Sequence, residues 1–356
     1  MSKVSFNNKQ SPFFRVLKGK VDNYFSTHQL HTSGNRQLLT KSIIQVSTAV
    51  ALYVVLVFFN PGTLLSLLLC ALFGMNLALI GFNIMHEGGH QSFSKHKWLN
   101  ETSAYFLNIL GGNAYYWKIK HNINHHTYTN IEGMDSDIDV KPFMRLHENQ
   151  PRYKMHRFQH LYWIGLYGIS YVVWVFYHDF EKYFTGKIAA HAGAYKLDAK
   201  EHTIFWITKI LYVVVYIALP IIMLGPVKAL IGFAIATFIC GLFISVVFQL
   251  AHVVEGTVFP IPNEESNKIE QEWAIHQVTT TANFATKSKI VSWLLGGLNF
   301  QVEHHLFPRI SHIHYPAINE LVKETCKEFN ISYLEYTSVF KAFRSHLTFI
   351  KKLGAA

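Results

Sequence analysis

Two pairs of long apolar stretches, each pair joined by a very short turn, constrain this chain more than any other feature. A helix that spans a membrane needs about 20 mostly apolar residues. Residues 43–59 and 63–85 flank the turn Asn60-Pro61-Gly62, and residues 205–224 and 227–251 flank Gly225-Pro226. Neither turn is long enough to hold a domain, so each pair is expected to form a helical hairpin. Of the 356 residues, 50% are apolar and only 15% charged. Concentrated in runs of this length, that composition indicates an all-α integral membrane protein with four transmembrane helices, not two soluble domains.

Two weaker apolar segments complete the pattern. Residues 104–112 are too few to span and end in Gly111-Gly112-Asn113. Residues 160–177 are long enough, but Tyr162, Trp163, Tyr167, Tyr171, Trp174 and Tyr177 give them the aromatic richness of an interfacial helix. If this segment crossed alone, the histidines after residue 300 would lie across the bilayer from those before residue 127. No single metal site could then include both groups, so both weak segments are expected to be interfacial. Lys and Arg number seven before the first apolar run, nine in residues 87–160 and ten after Ala251, while the hairpin turns hold almost none. The positive-inside rule then puts residues 1–42, the central polar region and the tail 316–356 in the cytosol, around a membrane domain at 43–315. The chain opens on polar, mildly basic residues without a cleavable signal pattern, so insertion is expected to depend on the first span.

The formal net charge of +10 is explained mainly by these loops. No dense basic stripe and no nucleic-acid motif accompanies it, which argues against a nucleic-acid partner. Three cysteines, Cys70, Cys240 and Cys326, cannot build a disulfide framework or a thiolate metal site.

The anomaly is 21 histidines. One cluster is His86-Glu87-Gly88-Gly89-His90, at the cytosolic end of the second span. A second is His121-Asn122-Ile123-Asn124-His125-His126, and a third Gln301-Val302-Glu303-His304-His305. Residues four apart share one face of an α-helix, so His86 with His90, and His121 with His125, can each aim two imidazoles at one metal. His126 points about 100° further round, toward a second ion. His304 and His305 diverge in the same way. His252 ends the fourth span at the same expected depth and is a further candidate ligand. Any one pair of histidines is commonly a solvated face, but three clusters beside two hairpins on one side are not. Eight imidazoles exceed the needs of one tetrahedral zinc and suit two ions with open positions. Nitrogen donors fit iron, and leave copper, manganese and zinc open. The fold class expected is therefore four transmembrane helices as two hairpins plus a cytosolic helical cap holding a di-metal site. Acidic residues near the clusters, Glu87, Asp135, Glu255 and Glu303, are candidates to accept the second N–H of the ligating imidazoles.

Other readings of these residues are weaker. His86-Glu87-Gly88-Gly89-His90 fits the zinc-protease pattern His-Glu-x-x-His, with Glu87 as general base. That explains two of eight histidines, and the paired glycines weaken a helix. A metal transporter would place ionisable groups in mid-membrane, not outside the apolar runs. Asp135-Ser136-Asp137-Ile138-Asp139 opens like a calcium loop, but Val140 and Leu146 stand where the turn glycine and the final acid belong. Gly111-Gly112 and Gly296-Gly297 are expected to be tight turns or close helix contacts.

With its three histidine clusters ordered around two hairpins, the chain resembles the membrane fatty acid desaturase superfamily from about residue 43 to 315. Gln301, the run His125-His126-Thr127-Tyr128-Thr129-Asn130, the segment Gln249-Leu250-Ala251-His252 and the run from Gln301 to Pro308 resemble its front-end subgroup. The resemblance implies two iron ions (Fe2+/Fe3+) held by His86, His90, His121, His125, His126, His252, His304 and His305. It places Gln301 beside the metal, through water, where other members carry a ninth histidine. It implies O2-dependent insertion of a cis double bond into a fatty acyl chain, presented as acyl-CoA or acyl-lipid. Related enzymes hydroxylate lipids or desaturate sphingolipids. The haem-binding His-Pro-Gly-Gly of fused cytochrome b5 domains is absent from the sequence, which implies a separate donor such as ferredoxin or cytochrome b5 with its reductase. A cytosolic-facing site in a bacterial cytoplasmic membrane or the endoplasmic reticulum follows from the same resemblance, with membrane lipid as surroundings.

Overall fold

The computed structural model describes residues 4–8, 11–188 and 195–356. Among them, four helices are long and apolar enough to cross a membrane: Arg36–Phe59, Thr63–Gly89, Ala199–Leu224 and Pro226–His252. Each contains one of the apolar runs and continues past it, because backbone hydrogen bonding carries a helix beyond the point where its side chains turn polar. The Asn35 side chain caps the first span by accepting from the N–H groups of Gln37 and Leu38. Both hairpins reverse on residues with positive φ. Asn60 adopts φ 44° and Gly225 φ 82°, conformations open to few other residue types. Pro226 then opens the fourth span, where its missing N–H leaves no bond unmade.

The spans approach closely at small residues. A Cβ on Gly74 of the second span would lie 2.1 Å from the Ala236 carbonyl oxygen of the fourth, so only glycine permits this crossing. Around it pack Phe73, Leu77, Ala236 and Cys240. The aromatic segment at 160–177 falls within the helix Gln159–Val173 and its continuation through Trp174–His178 to Thr185. It lies along the fourth span, with Gly168 receiving the Phe238 ring. Its far end is tied down by Lys209 Nζ of the third span, which donates to Asp179 Oδ2 at 2.9 Å, Val175 O at 2.7 Å and Gly111 O at 2.6 Å. The lysine of this buried ion pair thus meets three acceptors, while Asp179 Oδ1 is buried without a partner. The 104–112 segment becomes the end of the helix Lys97–Ala104, the helical turn Phe106–Ile109 and a reversal at Gly111, φ 89°.

The polar parts of the chain gather at the span ends that carry His86 and His252. The N-terminal helix Pro12–Thr27 packs Phe13, Leu17 and Val21 against Ile318, Val322 and Cys326 of the helix Tyr315–Glu328. Two short parallel pairings, Ser5–Phe6 with Lys268–Ile269 and Asn283–Phe284 with Glu335–Tyr336, fasten the ends of the chain to the segment after the fourth span. A final helix, Val339–Ala355, lies beside Gln159–Val173.

Candidate metal centre

Three local features aim the histidines. The second span widens to i→i+5 hydrogen bonding over Gly81–Met85, where the His86 N–H bonds Gly81 O, and then carries His86 and His90 at its end. The second cluster lies on a longer π-helix, Lys118–His125, closed by the His126 N–H bonding His121 O. Such wide turns are rare and concentrate at functional sites. The third cluster sits on the short helix Gln301–Leu306.

The π-helix changes the geometry expected from α-helical spacing. With the wider turn His121 keeps His125 as a neighbour, their rings stacked with centroids 5.2 Å apart, and it also meets His126, the two Nε2 atoms approaching to 3.2 Å. His121 joins His86, His90 and His304 in a set whose potential ligand atoms all lie within 4.8 Å of one another. His125 joins His252 and His305 in a second set of the same kind. His126 stands between them: its ring centroid is 4.9 Å from that of His90, 4.7 Å from His304 and 4.4 Å from His305. All eight histidines singled out from the sequence thus meet in one cluster.

A metal fits this cluster on the state of its ring nitrogens. The Nε2 atoms of His90, His125, His304 and His305, Nδ1 of His126, and both nitrogens of His252 are buried without a hydrogen-bond partner. Each such orphan costs about 1–3 kcal/mol, so this many in one place are tolerable only if something else satisfies them. In three of these rings the opposite nitrogen is held. His125 Nδ1 lies 3.0 Å from Asp135 Oδ2, His304 Nδ1 3.2 Å from Tyr315 Oη, and His305 Nδ1 2.8 Å from Gln277 Oε1. One ring nitrogen anchored and the other aimed into a shared space is the arrangement of metal-ligating imidazoles. Burial, and next the neighbouring imidazoles, push His90, His121, His126, His304 and His305 well below the ordinary histidine pKa. These rings are therefore neutral, as ligation requires. His125 differs, since burial opposes its charge but Asp135 and Asp137 outweigh burial and raise its pKa.

The four acidic residues named from the sequence divide. Asp135 receives His125. Glu87 Oε1 instead accepts from the backbone N–H of His312 at 2.9 Å and lies 2.7 Å from His312 Nδ1. Glu255 pairs with Lys352 on the surface. Glu303 is held by Asn283 at 2.6 Å and Asn319 at 3.1 Å, and burial raises its pKa to about 7. Gln301 is buried, donates from Nε2 to Leu298 O at 2.9 Å, and neighbours His252. Sequence reasoning passed over Gln277 and Tyr315, which carry no local signal, and Trp117, which stacks on His121 with centroids 4.4 Å apart. It also rejected the Asp135–Asp139 run as a calcium loop without seeing that Asp137 closes a third potential ligand set with His121 and His125.

Comparison with known proteins bears on the same residues. The chain matches the fatty acid desaturase family over residues 25–337. It is 34% identical over 348 residues to an acyl-lipid (8-3)-desaturase of Physcomitrium patens, covering 96% of this chain and 72% of that protein. Two sn-1 linoleoyl-lipid 6-desaturases, from Arthrospira platensis and a Synechocystis strain, are each 33% identical across 99% of this chain, and 95% and 98% of their own lengths. Four apolar helices fit a membrane protein, and a metal cofactor is implied by the family. The chain is an oxidoreductase belonging to the fatty acid desaturase family.

Proposed function

We propose that the chain is an O2-dependent acyl-lipid desaturase of the front-end type, in which His86, His90, His121, His125, His126, His252, His304 and His305 hold two iron ions. The observation that carries this reading is the set of buried, unpartnered ring nitrogens converging from separate stretches of chain. When bound, the iron pair supplies, with O2 and two electrons, the oxidising chemistry that removes two hydrogens from neighbouring methylenes.

The protein's own part is binding and positioning. Asp135, Gln277 and Tyr315 fix the rings of His125, His305 and His304, so the ligand set is formed before metal arrives. Burial keeps water from seven of the eight imidazoles, His121 being half-buried. An acyl chain gains about 0.8 kcal/mol per buried CH₂, an attraction with no direction, so the choice of carbon rests on anchoring and chain placement. Acyl-lipid is preferred to acyl-CoA as substrate because the similar 6- and (8-3)-desaturases are named for lipid-linked chains. A separate ferredoxin or cytochrome b5 would deliver electrons, and the bias of Lys and Arg supports a cytosolic face for the site.

The protease reading loses support at Glu87, whose carboxylate is engaged by His312 and Ser92 and is not free to act as a base. The test is direct: express the chain in a host fed unsaturated fatty acids, profile its lipids, and measure metal in the purified protein. About two irons per chain and a new cis double bond on the carboxyl side of an existing one are expected. A hydroxylated product, or another metal that supports turnover, would overturn the proposal.

A further inference from the structure

Away from the imidazoles, the C-terminal helix Val339–Ala355 has two different sides. Ala342, Ser345, His346, Ile350 and Leu353 are buried, whereas Phe340 is 71% exposed. At about 100° per residue, Phe340, Phe343, Arg344, Leu347 and Lys351 form one stripe beside the buried face. These residues line a groove of about 290 Å³ whose opposite wall is His160, at the start of the helix Gln159–Val173.

The groove's neighbours place it against the membrane. Trp163 packs edge-on to Phe343 with ring centroids 5.3 Å apart, and Val246 of the fourth span packs in the same clusters as these two rings. Val246 lies about 9 Å along the helix before His252, within the apolar length of the fourth span. Leu161 and Ile164, 64% and 46% exposed, continue the apolar surface along the neighbouring helix. Arg344 and Lys351 are exposed on the rim, and Arg157 lies one turn before His160. Among the described residues, none of these three cations enters an ion pair. His160 Nδ1 is buried and has no hydrogen-bond partner.

Unpaired cations above an open apolar stripe, at the edge of a spanning helix, match one chemistry. We propose that this groove holds an anionic phospholipid of the surrounding membrane. Its phosphate sits between Arg344 and Lys351 at the His160 wall of the groove, and one acyl chain lies along Phe340, Phe343 and Leu347. The site is separate from the metal cluster but backs onto it. On the far side of the same helix, His346 Nδ1 donates to Val253 O at 2.6 Å, next to His252.

The experiment uses the purified full chain, delipidated in detergent, with native mass spectrometry reading retention of phosphatidylglycerol, phosphatidylcholine or inorganic phosphate. A basic side chain at the membrane surface strengthens anionic lipid binding about fivefold, so R344Q/K351Q should retain phosphatidylglycerol about 30-fold less well than wild type. Metal content and melting temperature, which these surface changes leave alone, establish that the variant is folded. Phosphatidylcholine should be retained poorly by both proteins. Equal retention by the folded double variant, or equal retention of the two lipids by wild type, overturns the proposal. Displacement of the lipid by millimolar inorganic phosphate would make the groove a free-anion site and overturn it as well.

Discussion

Gly89 lies directly beneath the indole of Trp117: a Cβ placed on Gly89 would come within 2.2 Å of Trp117 Cζ3. The same indole covers three imidazoles, with ring centroids 5.6 Å from His86, 5.6 Å from His90 and 4.4 Å from His121. The absent side chain is therefore what lets Trp117 roof the cluster. Gly88 is confined in the same way, its Cβ position lying 2.5 Å from the Ala104 backbone nitrogen. Gly89→Ala should displace the indole, lower stability by about 1–3 kcal/mol as overpacking does, and reduce metal content. Melting temperature and metal analysis on the same preparation test this, and a wild-type-like variant on both measures would refute it.

His126 touches members of both ligand sets, which gives its removal a distinct signature. His126→Ala should leave less than one metal per chain, where a ligand serving one ion alone would leave about one. Product formation should vanish while membrane insertion persists. Metal content close to that of wild type would remove His126 from the centre.

The orienting bonds predict graded losses. Outer partners of ligating histidines typically change metal affinity 10–100-fold, so Asp135→Asn and Gln277→Ala should each give up metal to a chelator within that range. Asp135 also accepts from the backbone N–H of Asn130 at 3.0 Å, so its removal should loosen the loop after the second cluster too. Unchanged chelator titrations for both variants would mean that Asp135 and Gln277 do not orient these rings, leaving His125 to Asp137 and His305 to Thr129.

Much of this centre was legible in the sequence, and the rest was hidden for identifiable reasons. The apolar runs reported the four helices because a spanning helix must satisfy its own backbone in lipid, and length alone betrays it. The eight histidines were legible because imidazoles in that number, at hairpin ends, have few other uses. The division of the second cluster was not legible: Lys118–His125 is wound with i→i+5 bonds, which adds the His121–His126 approach, and His121 and His125 each join a different set of distant histidines. Proximity in sequence also misled the search for acidic partners. Glu87 sits beside His86 yet binds His312, 225 positions away, and His305 finds an uncharged amide at Gln277.

Glu87 separates two chemistries in one substitution. Glu87→Gln retains an oxygen that can accept from His312, so the variant should keep its metals and part of its desaturase activity. A zinc protease would lose essentially all catalysis. Glu87→Ala removes the acceptor of His312 Nδ1 and leaves that ring facing Lys41 Nζ, 3.4 Å from its Nε2, and should cost about 3 kcal/mol in stability, the scale of breaking a buried pair. Complete loss of product from a folded, fully metallated Glu87→Gln protein would show that this carboxylate acts in the chemistry.

His346 should make the C-terminal helix sensitive to acid. Its Nδ1 donates to Val253 O at 2.6 Å, which leaves Nε2, 2.9 Å from the Tyr167 hydroxyl, to accept. Burial pushes its pKa down to about 4, against about 6.5 in an unfolded chain. Between those values the unfolded chain takes up a proton that the folded one refuses, so stability is full above about pH 6.5 and falls as the pH drops. Below about pH 4 the loss is complete, at about 3 kcal/mol. His346→Asn retains a donor for Val253 and removes the titration, so its melting temperature should fall less between pH 7.5 and pH 5 than that of wild type. Both proteins carry the same eight imidazoles, so acid release of metal affects the two alike and cancels in the comparison. Parallel melting curves across that range would show that His346 is not the group through which acid acts.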